Sequence, residues 1–98
     1  MNLAIVSGRI RGESQMSYTP NGLAILKLTV VTTKIDKNGE DKETEVDITF
    51  FGDRAEEYAA IETDGIVVVS GMISTRESER KTGVTFRNTD FIGFNIEY

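Results

Sequence analysis

An alternation of apolar and polar side chains with a period of two is the feature that most constrains how this chain of 98 residues folds. It is clearest within residues 23–34, where every second residue from 24 to 30 is apolar. One side carries Ala24, Leu26, Leu28 and Val30, and the other carries Lys27, Thr29, Val31 and Thr33. Because successive side chains of a strand point to opposite faces of a sheet, this pattern predicts a strand with one buried face and one solvent-exposed face.

Similar patterns predict five strands in all, over residues 3–10, 23–34, 44–51, 66–76 and 84–96. In the third of these, the core face carries Val46, Ile48 and Phe50, and the outer face carries Glu45, Asp47, Thr49 and Phe51. Gly71, in the middle of the fourth strand, predicts a bulge or bend. A single helix is predicted over 53–62, with Asp53 as its N-cap and Glu56 completing a capping box.

Two polar segments predict the turns that join the first three strands. In residues 17–22, Pro20 suits the second position of a turn, and Asn21-Gly22 tolerate positive φ. In residues 36–41, the Asn38-Gly39 pair is a strong hairpin signal. The order strand, strand, strand, helix, strand, strand is that of the OB-fold, a five-stranded Greek-key barrel. We therefore expect an all-β chain, with residues 1–98 forming one OB-fold domain and one short helix between strands 3 and 4.

The composition excludes several kinds of site. The chain has no Cys and no His, so it has no zinc finger, thiolate nucleophile or imidazole base. The segment Asp36-x-Asn38-Gly39-x-Asp41 resembles a calcium loop but lacks the later bidentate Glu. We expect no metal, no cofactor and no catalytic activity. Neither a signal peptide nor a membrane-spanning stretch is recognisable, which favours a cytoplasmic protein with no membrane partner.

Four segments resemble the bacterial single-stranded DNA-binding protein family. Residues 1–10 are similar to its opening strand, and Tyr18 to Ile25 are similar to its Tyr-Thr-Pro-Asn-Gly-x-Ala-Val segment. Residues 51–58 are similar to its Phe-Gly-x-x-Ala-Glu helix entry, and residues 69–76 to its Val-x-Gly-x-Leu-x-Thr-Arg strand. The resemblance implies an OB-fold that binds single-stranded DNA in replication, repair or recombination, in a bacterial, phage or plasmid context.

Phe51 matches an aromatic residue on which that family stacks a base. The alternation agrees, because it places Phe51 on the polar face of its strand, although packing over the helix start is an alternative role. The family's other aromatic platforms are not matched. The corresponding positions are Ile35, then Thr49, Asp47 and Glu45 (or Val46 with a shifted gap), and one near Ser78. Since each stacked base contributes ~1–3 kcal/mol, these losses predict weaker binding than is typical of the family.

The net charge of −5 is unevenly distributed along the chain. Residues 34–47 carry three lysines against six acids, and residues 53–64 carry one arginine against five acids, whereas residues 1–33 have a net charge of +2. A track for DNA phosphates is still available. Its candidate residues are Arg9, Arg11, Lys27, Lys34, Arg76, Arg80, Lys81 and Arg87, which otherwise serve only as solvated surface charges.

The resemblance also implies a homo-oligomer, a dimer or tetramer, and replication proteins as further partners. The first strand, Leu3 to Ile10, is the candidate edge for self-association. The chain ends at Tyr98 within the predicted last strand, so we expect either a truncated chain or a member without the family's acidic C-terminal tail. A different hypothesis is a protein–protein adaptor of a primosome, phage or plasmid replication complex, with weak or no DNA binding. The acids at Glu45 and Asp47 and the missing aromatics favour this adaptor.

Overall fold

The computed structural model describes residues 1–61, 65–79, 83 and 85–98. Five strands and one short helix follow each other in the predicted order. They are β1 (Ala4–Tyr18), β2 (Ala24–Ile35), β3 (Asp41–Phe51), α1 (Asp53–Tyr58), β4 (Val67–Glu79) and β5 (Thr85–Glu97). None of the helices in these ranges is long and apolar enough to span a membrane.

The five strands close into a barrel in the order β1-β2-β3-β5-β4, with β4 returning to β1. Neighbouring strands are antiparallel except β3 and β5, which pair in parallel over Ile48↔Phe91 and Thr49↔Ile92. A parallel pair needs a crossover connection, and here α1 and β4 lie between the two strands in the chain. The predicted OB-fold architecture, all-β with a helix between strands 3 and 4, is confirmed.

The core contains the residues that the alternation placed on the inner faces. The four inward residues of β2, Ala24, Leu26, Leu28 and Val30, are 0–3% exposed, and Ile48 and Phe50 of β3 are fully buried. The other buried members are Ala55, Tyr58, Val67, Val69, Phe91 and Ile96. Tyr58 anchors α1 to β5, because its hydroxyl accepts a hydrogen bond from the backbone N of Ile96 and donates one to Asn95 Oδ1.

Both predicted turns are present. Pro20 occupies the second position of a turn that Gly22 N closes on Thr19 O, and Gly22 has φ +85°. In the β2–β3 hairpin, Gly39 has φ +79°, and Asp36 Oδ1 accepts hydrogen bonds from the backbone N of Asn38 and of Glu40. Asp36, the first residue of the segment that resembles a calcium loop, therefore uses its carboxylate to close the hairpin turn.

The helix differs from its prediction. It begins after Gly52, whose φ of +68° turns the chain sharply at the end of β3, and there is no side-chain cap hydrogen bond. The capping box of Asp53 and Glu56 was therefore wrong, and the helix ends at Tyr58 rather than near residue 62. The predicted turn at 17–22 also began too early. β1 continues to Tyr18 through a register shift between Arg11 and Gln15, with Gly12 at φ +69°.

The bulge expected at Gly71 is confirmed by a register shift between Ser70 and Gly71 in the β4–β5 ladder. A Cβ at Gly71 would lie 1.9 Å from the carbonyl oxygen of Ile92, so only glycine fits where these strands approach. The extra residue lies in β5, between the partners of Ser70 and Gly71, so the alternation of β4 is unbroken. The outward residues Met72, Ser74 and Arg76 of β4 lie on the same side of the barrel as the outer residues of β2 and β3.

Candidate nucleic-acid interface

Phe51 lies at the end of β3, on the outer face of the barrel. It pairs in register with Ile25 of β2 and is 41% exposed, whereas its neighbour Phe50 is fully buried. The reason is local, since alternation sends Phe50 inward and Phe51 outward, and the positive φ of Gly52 then turns the chain into α1. An aromatic ring is thus presented to solvent from a rigid strand.

A groove of about 930 Å³ runs from Phe51 across β1–β3 to β4 and β5. Its apolar floor is formed by Ile25, Phe51, Met72 and Ile92. Sequence reasoning missed the three aliphatic members. The outward position of Ile25 could have been predicted, because it lies two residues before Lys27 and therefore on the same face of the strand. Met72 and Ile92 lie together in the groove because they pair in register across the β4–β5 ladder, which alternation within one strand does not reveal.

The groove contains two of the predicted phosphate contacts, Lys27 and Arg76. Lys27 is exposed opposite Thr49 and has no ion pair among the described residues. Arg76 is paired, with its Nε 2.6 Å from Asp90 Oδ2. Two further acids, Glu13 and Asp47, line the same groove. Near Phe51 the surface is therefore apolar and roughly neutral rather than strongly basic.

Arg11 lies farther along the same face, and two acids hold it. Its guanidinium donates to Glu43 Oε2 at 2.8 Å and to Glu45 Oε1. These hydrogen bonds, first to Glu43 and then to Glu45, raise the pKa of Arg11 above its ordinary value. The contacts join β1 to β3 across β2, where Arg11 pairs with Thr29 and Thr29 pairs with Asp47. The charge of this predicted phosphate contact is thus already balanced.

The remaining predicted cations are dispersed. Arg9 has no ion pair among the described residues and lines a second depression together with Arg11, Thr33 and Glu43. Lys34 pairs in register with Lys42, on the opposite side of the β2–β3 ribbon from Thr33. Arg87 Nε lies 3.1 Å from Glu77 Oε1 across the β4–β5 ladder. The last two candidates, Arg80 and Lys81, lie outside the described residues.

The unmatched platform positions have different environments. Ile35 is 72% exposed at the far end of the β2–β3 ribbon, so it offers an apolar surface without a ring. Thr49 and Asp47 are on the outer face beside the groove, as the alternation predicted. Val46 is partly buried and packs against the core, so the shifted-gap alternative corresponds to a residue that is not on the outer face. The side chain of Ser78 lies outside the described part of the chain.

The first half of β1 offers a partly free edge. Residues 4–8 pair with β4 only, and pairing with β2 begins at Arg9. Gly8 marks the corner, since a Cβ there would lie 2.1 Å from the carbonyl oxygen of Val31. Around this edge Leu3, Ile5 and Val68 are 60%, 63% and 37% exposed. The predicted edge for self-association is therefore both accessible and apolar.

Comparison with known proteins identifies relatives over almost the whole chain. The single-strand binding protein family matches residues 1–98. A protein of Clostridium acetobutylicum named single-stranded DNA-binding protein 2 is 29% identical, over 100% of this chain and 76% of its own length. The single-stranded DNA-binding protein B of Bacillus subtilis is also 29% identical, over 99% of this chain and 88% of its own.

Among solved structures, a deletion mutant of the single-stranded DNA-binding protein from Thermus aquaticus superposes with a TM-score of 0.76 and 24% sequence identity. The superposition covers 99% of this chain and 49% of the Thermus chain, so the chain spans about half of that protein. At this level of identity the likeness supports the OB-fold barrel itself.

Proposed function

The chain belongs to the single-strand binding protein family, and from that premise we propose that it binds single-stranded DNA without sequence preference, in replication, repair or recombination. The proposed binding unit is residues 1–98 acting as one domain, in the cytoplasm of a bacterium or in a phage or plasmid context. Its role is binding rather than catalysis. The relatives' names and the outer face of the barrel support this proposal.

The observation that carries the proposal is Phe51. A ring that is 41% exposed beside an apolar floor of Ile25, Met72 and Ile92 has no role in the barrel core. Stacking of a nucleobase on such a ring removes two apolar faces from water and does not depend on which base is present. A rigid strand pre-positions the ring, which reduces the entropy lost on binding.

Phosphate contacts make a smaller contribution in this proposal. Lys27, in the groove, and Arg9, on the same face of β1 and β2, are exposed cations without ion pairs among the described residues. Arg11, Arg76 and Arg87 must exchange a carboxylate for a phosphate before they can contribute. Each phosphate contact releases condensed counterions, so few free cations mean a weak dependence of affinity on salt.

We also propose that the protein self-associates, as a dimer or tetramer, through residues 4–8 of β1. Among the described residues this segment pairs with β4 only, so its other side is available for a further strand, and Leu3, Ile5 and Val68 provide an apolar surface next to it. A second copy of β1 would satisfy the backbone groups and cover the apolar side chains. Sedimentation of an Ile5→Lys variant as a smaller species than the unchanged protein would support this edge, and unchanged sedimentation would refute it.

The chain contains a matched pair of phenylalanines that tests the proposed function. Phe51 and Phe94 are similarly exposed, at 41% and 40%. Phe94 does not line the groove, and the centroid of its ring lies 5.6 Å from the guanidinium carbon of Arg54. We expect Phe51→Ala to weaken oligo-dT binding by about tenfold to a hundredfold, since one stacked base is worth ~1–3 kcal/mol. Phe94→Ala should leave affinity unchanged.

Fluorescence anisotropy of labelled oligo-dT at low salt measures both variants. Equal losses in the two variants would refute a stacking role for Phe51. Failure of the unchanged protein to bind oligo-dT at micromolar concentration would refute the proposed function and would instead match the adaptor hypothesis.

A further inference from the structure

The outer positions of β3 change abruptly in character along the strand. From Thr49 toward the β2–β3 hairpin, every further outward residue of β3 is acidic. We call these residues the acidic row: Asp47, Glu45, Glu43 and Asp41. At about 3.4 Å per residue, the row extends roughly 20 Å along the strand. The facing outer positions of β2 beyond Lys27 are uncharged: Thr29, Val31, Thr33 and Ile35.

The acidic row occupies cations that a polyanion would otherwise contact. Glu43 and Glu45 both hold Arg11, although all three side chains are about half exposed, at 56%, 53% and 51%. Asp47 accepts a hydrogen bond of 2.8 Å from Thr29 Oγ1 and so stays fixed beside the groove. The outer face of β1–β3 therefore has three cations, Arg9, Arg11 and Lys27, against the four acids of the row and Glu13, which also lines the groove.

This charge pattern affects two kinds of DNA differently. A single strand can place unpaired bases on Phe51 and the apolar floor, and that contribution does not depend on the net charge of the face. A duplex keeps its bases stacked inside and offers mainly phosphates to a flat surface, so its non-specific binding depends on cations. On a face without excess positive charge, the attraction between cations and duplex phosphates is too weak to offset the repulsion between those phosphates and the acidic row.

We propose that the acidic row, through Glu43, Glu45 and Asp47, is the specificity determinant that rejects duplex DNA and leaves base stacking as the way to bind this face. The proposal rests on the proposed single-strand binding function. In this proposal the carboxylates act by repelling duplex phosphates. Protein interfaces often gain specificity in this way, through charges or clashes that weaken binding of the competing partner. Glu43 and Glu45 also act by keeping Arg11 from phosphates.

The test is a triple variant, Glu43→Gln/Glu45→Gln/Asp47→Asn, which removes three charges while keeping side-chain size and the acceptor for Thr29. A matched control, Glu56→Gln/Glu57→Gln/Glu97→Gln, removes three exposed carboxylates that do not line the groove. The dissociation constants of oligo-dT and of a duplex of equal length are measured for both variants and for the unchanged protein. Thermal unfolding verifies that each variant folds.

We expect the triple variant to bind duplex at least about tenfold more tightly at low salt, with a steeper salt dependence, because freed and uncompensated cations then contact phosphates. Its affinity for oligo-dT should rise by no more than about threefold, since stacking dominates that complex. The control should change both affinities by the same small factor.

Equal gains for duplex and oligo-dT in the triple variant would overturn the proposal, because the acids would then only lower affinity for all DNA. No gain for duplex, or the same duplex gain in the control, would also overturn it. These outcomes are separate from failure of the proposed function, which is judged by oligo-dT binding to the unchanged protein. The change in duplex affinity is interpreted independently of that result.

Discussion

The two ends of the outer face of β1–β3 present different chemistry to a ligand. At one end Phe51 lies beside Ile25, and Lys27 faces the neutral Thr49. At the other end Arg11 is held by Glu43 and Glu45, with Asp47 and Asp41 completing the acidic row. Both ends belong to the same paired strands, so the difference comes from side chains alone. A barrel of this kind can therefore restrict binding to one part of a continuous sheet face.

Introducing an acid at the apolar end should have the largest effect. Thr49→Glu places a carboxylate opposite Lys27 and beside the groove, where it pairs with that cation and repels phosphates. We expect oligo-dT affinity to fall by about tenfold or more at low salt, and the loss to shrink as salt screens the charge. Anisotropy titrations measure it, with Thr49→Gln as the neutral control. An equal loss in the control would attribute the effect to side-chain size.

A ring introduced at the acidic end should have the opposite, somewhat smaller effect. Asp47→Phe removes the one acid of the acidic row that lines the groove and adds a second stacking surface on the same side of β3 as Phe51. The expected gain in oligo-dT affinity is about fivefold, near the lower limit for one stacked base. Asp47→Leu removes the same charge without adding a ring. If leucine gave the same gain as phenylalanine, the effect would come from charge rather than stacking.

Removal of the free cation of the groove should have a modest effect. Lys27→Gln is expected to weaken oligo-dT binding about threefold and to reduce the magnitude of the salt slope by about one, since one phosphate contact is lost. Lys37→Gln, at the tip of the β2–β3 hairpin, serves as the control with the same charge change. Identical salt slopes in the two variants would show that Lys27 makes no specific contact.

The smallest change is expected at Arg11. Because Glu43 and Glu45 already hold its guanidinium, Arg11→Gln should alter oligo-dT affinity by less than about twofold. Arg9→Gln, two residues earlier on the same face and without an ion pair among the described residues, should have the larger effect of the two. Titrations of both variants under one salt condition decide the order. A larger loss at Arg11 would mean that its carboxylate partners release it on binding.

Most of the fold could be predicted from the sequence because local patterns determined it. Alternation identified the inner residues of β2 and β3, and Pro20 and Gly39 marked their turns. The N-cap of α1 was wrong because the chain turns at Gly52, whose positive φ leaves no role for a side-chain cap at Asp53. The length of β1 was wrong because the register shift between Arg11 and Gln15 keeps a polar segment within the strand.

The candidate site was less predictable, since its properties depend on residues brought together by strand register. Phe51 could be placed on the outer face from β3 alone. The pairing of Arg11 with Glu43 and Glu45 could not, because these residues are 32 and 34 positions apart and meet only across β2. Likewise, Met72 and Ile92 meet in the groove only through the pairing of β4 with β5, which the pattern of either strand alone does not reveal.

The central claim is that bases rather than phosphates provide most of the binding free energy on this face. Its most direct test compares oligo-dT with an abasic strand of the same length, which retains every phosphate but has no rings to stack. We expect the abasic strand to bind at least about tenfold more weakly, as the loss of one or more stacked bases requires. Equal affinity for the two strands would contradict it.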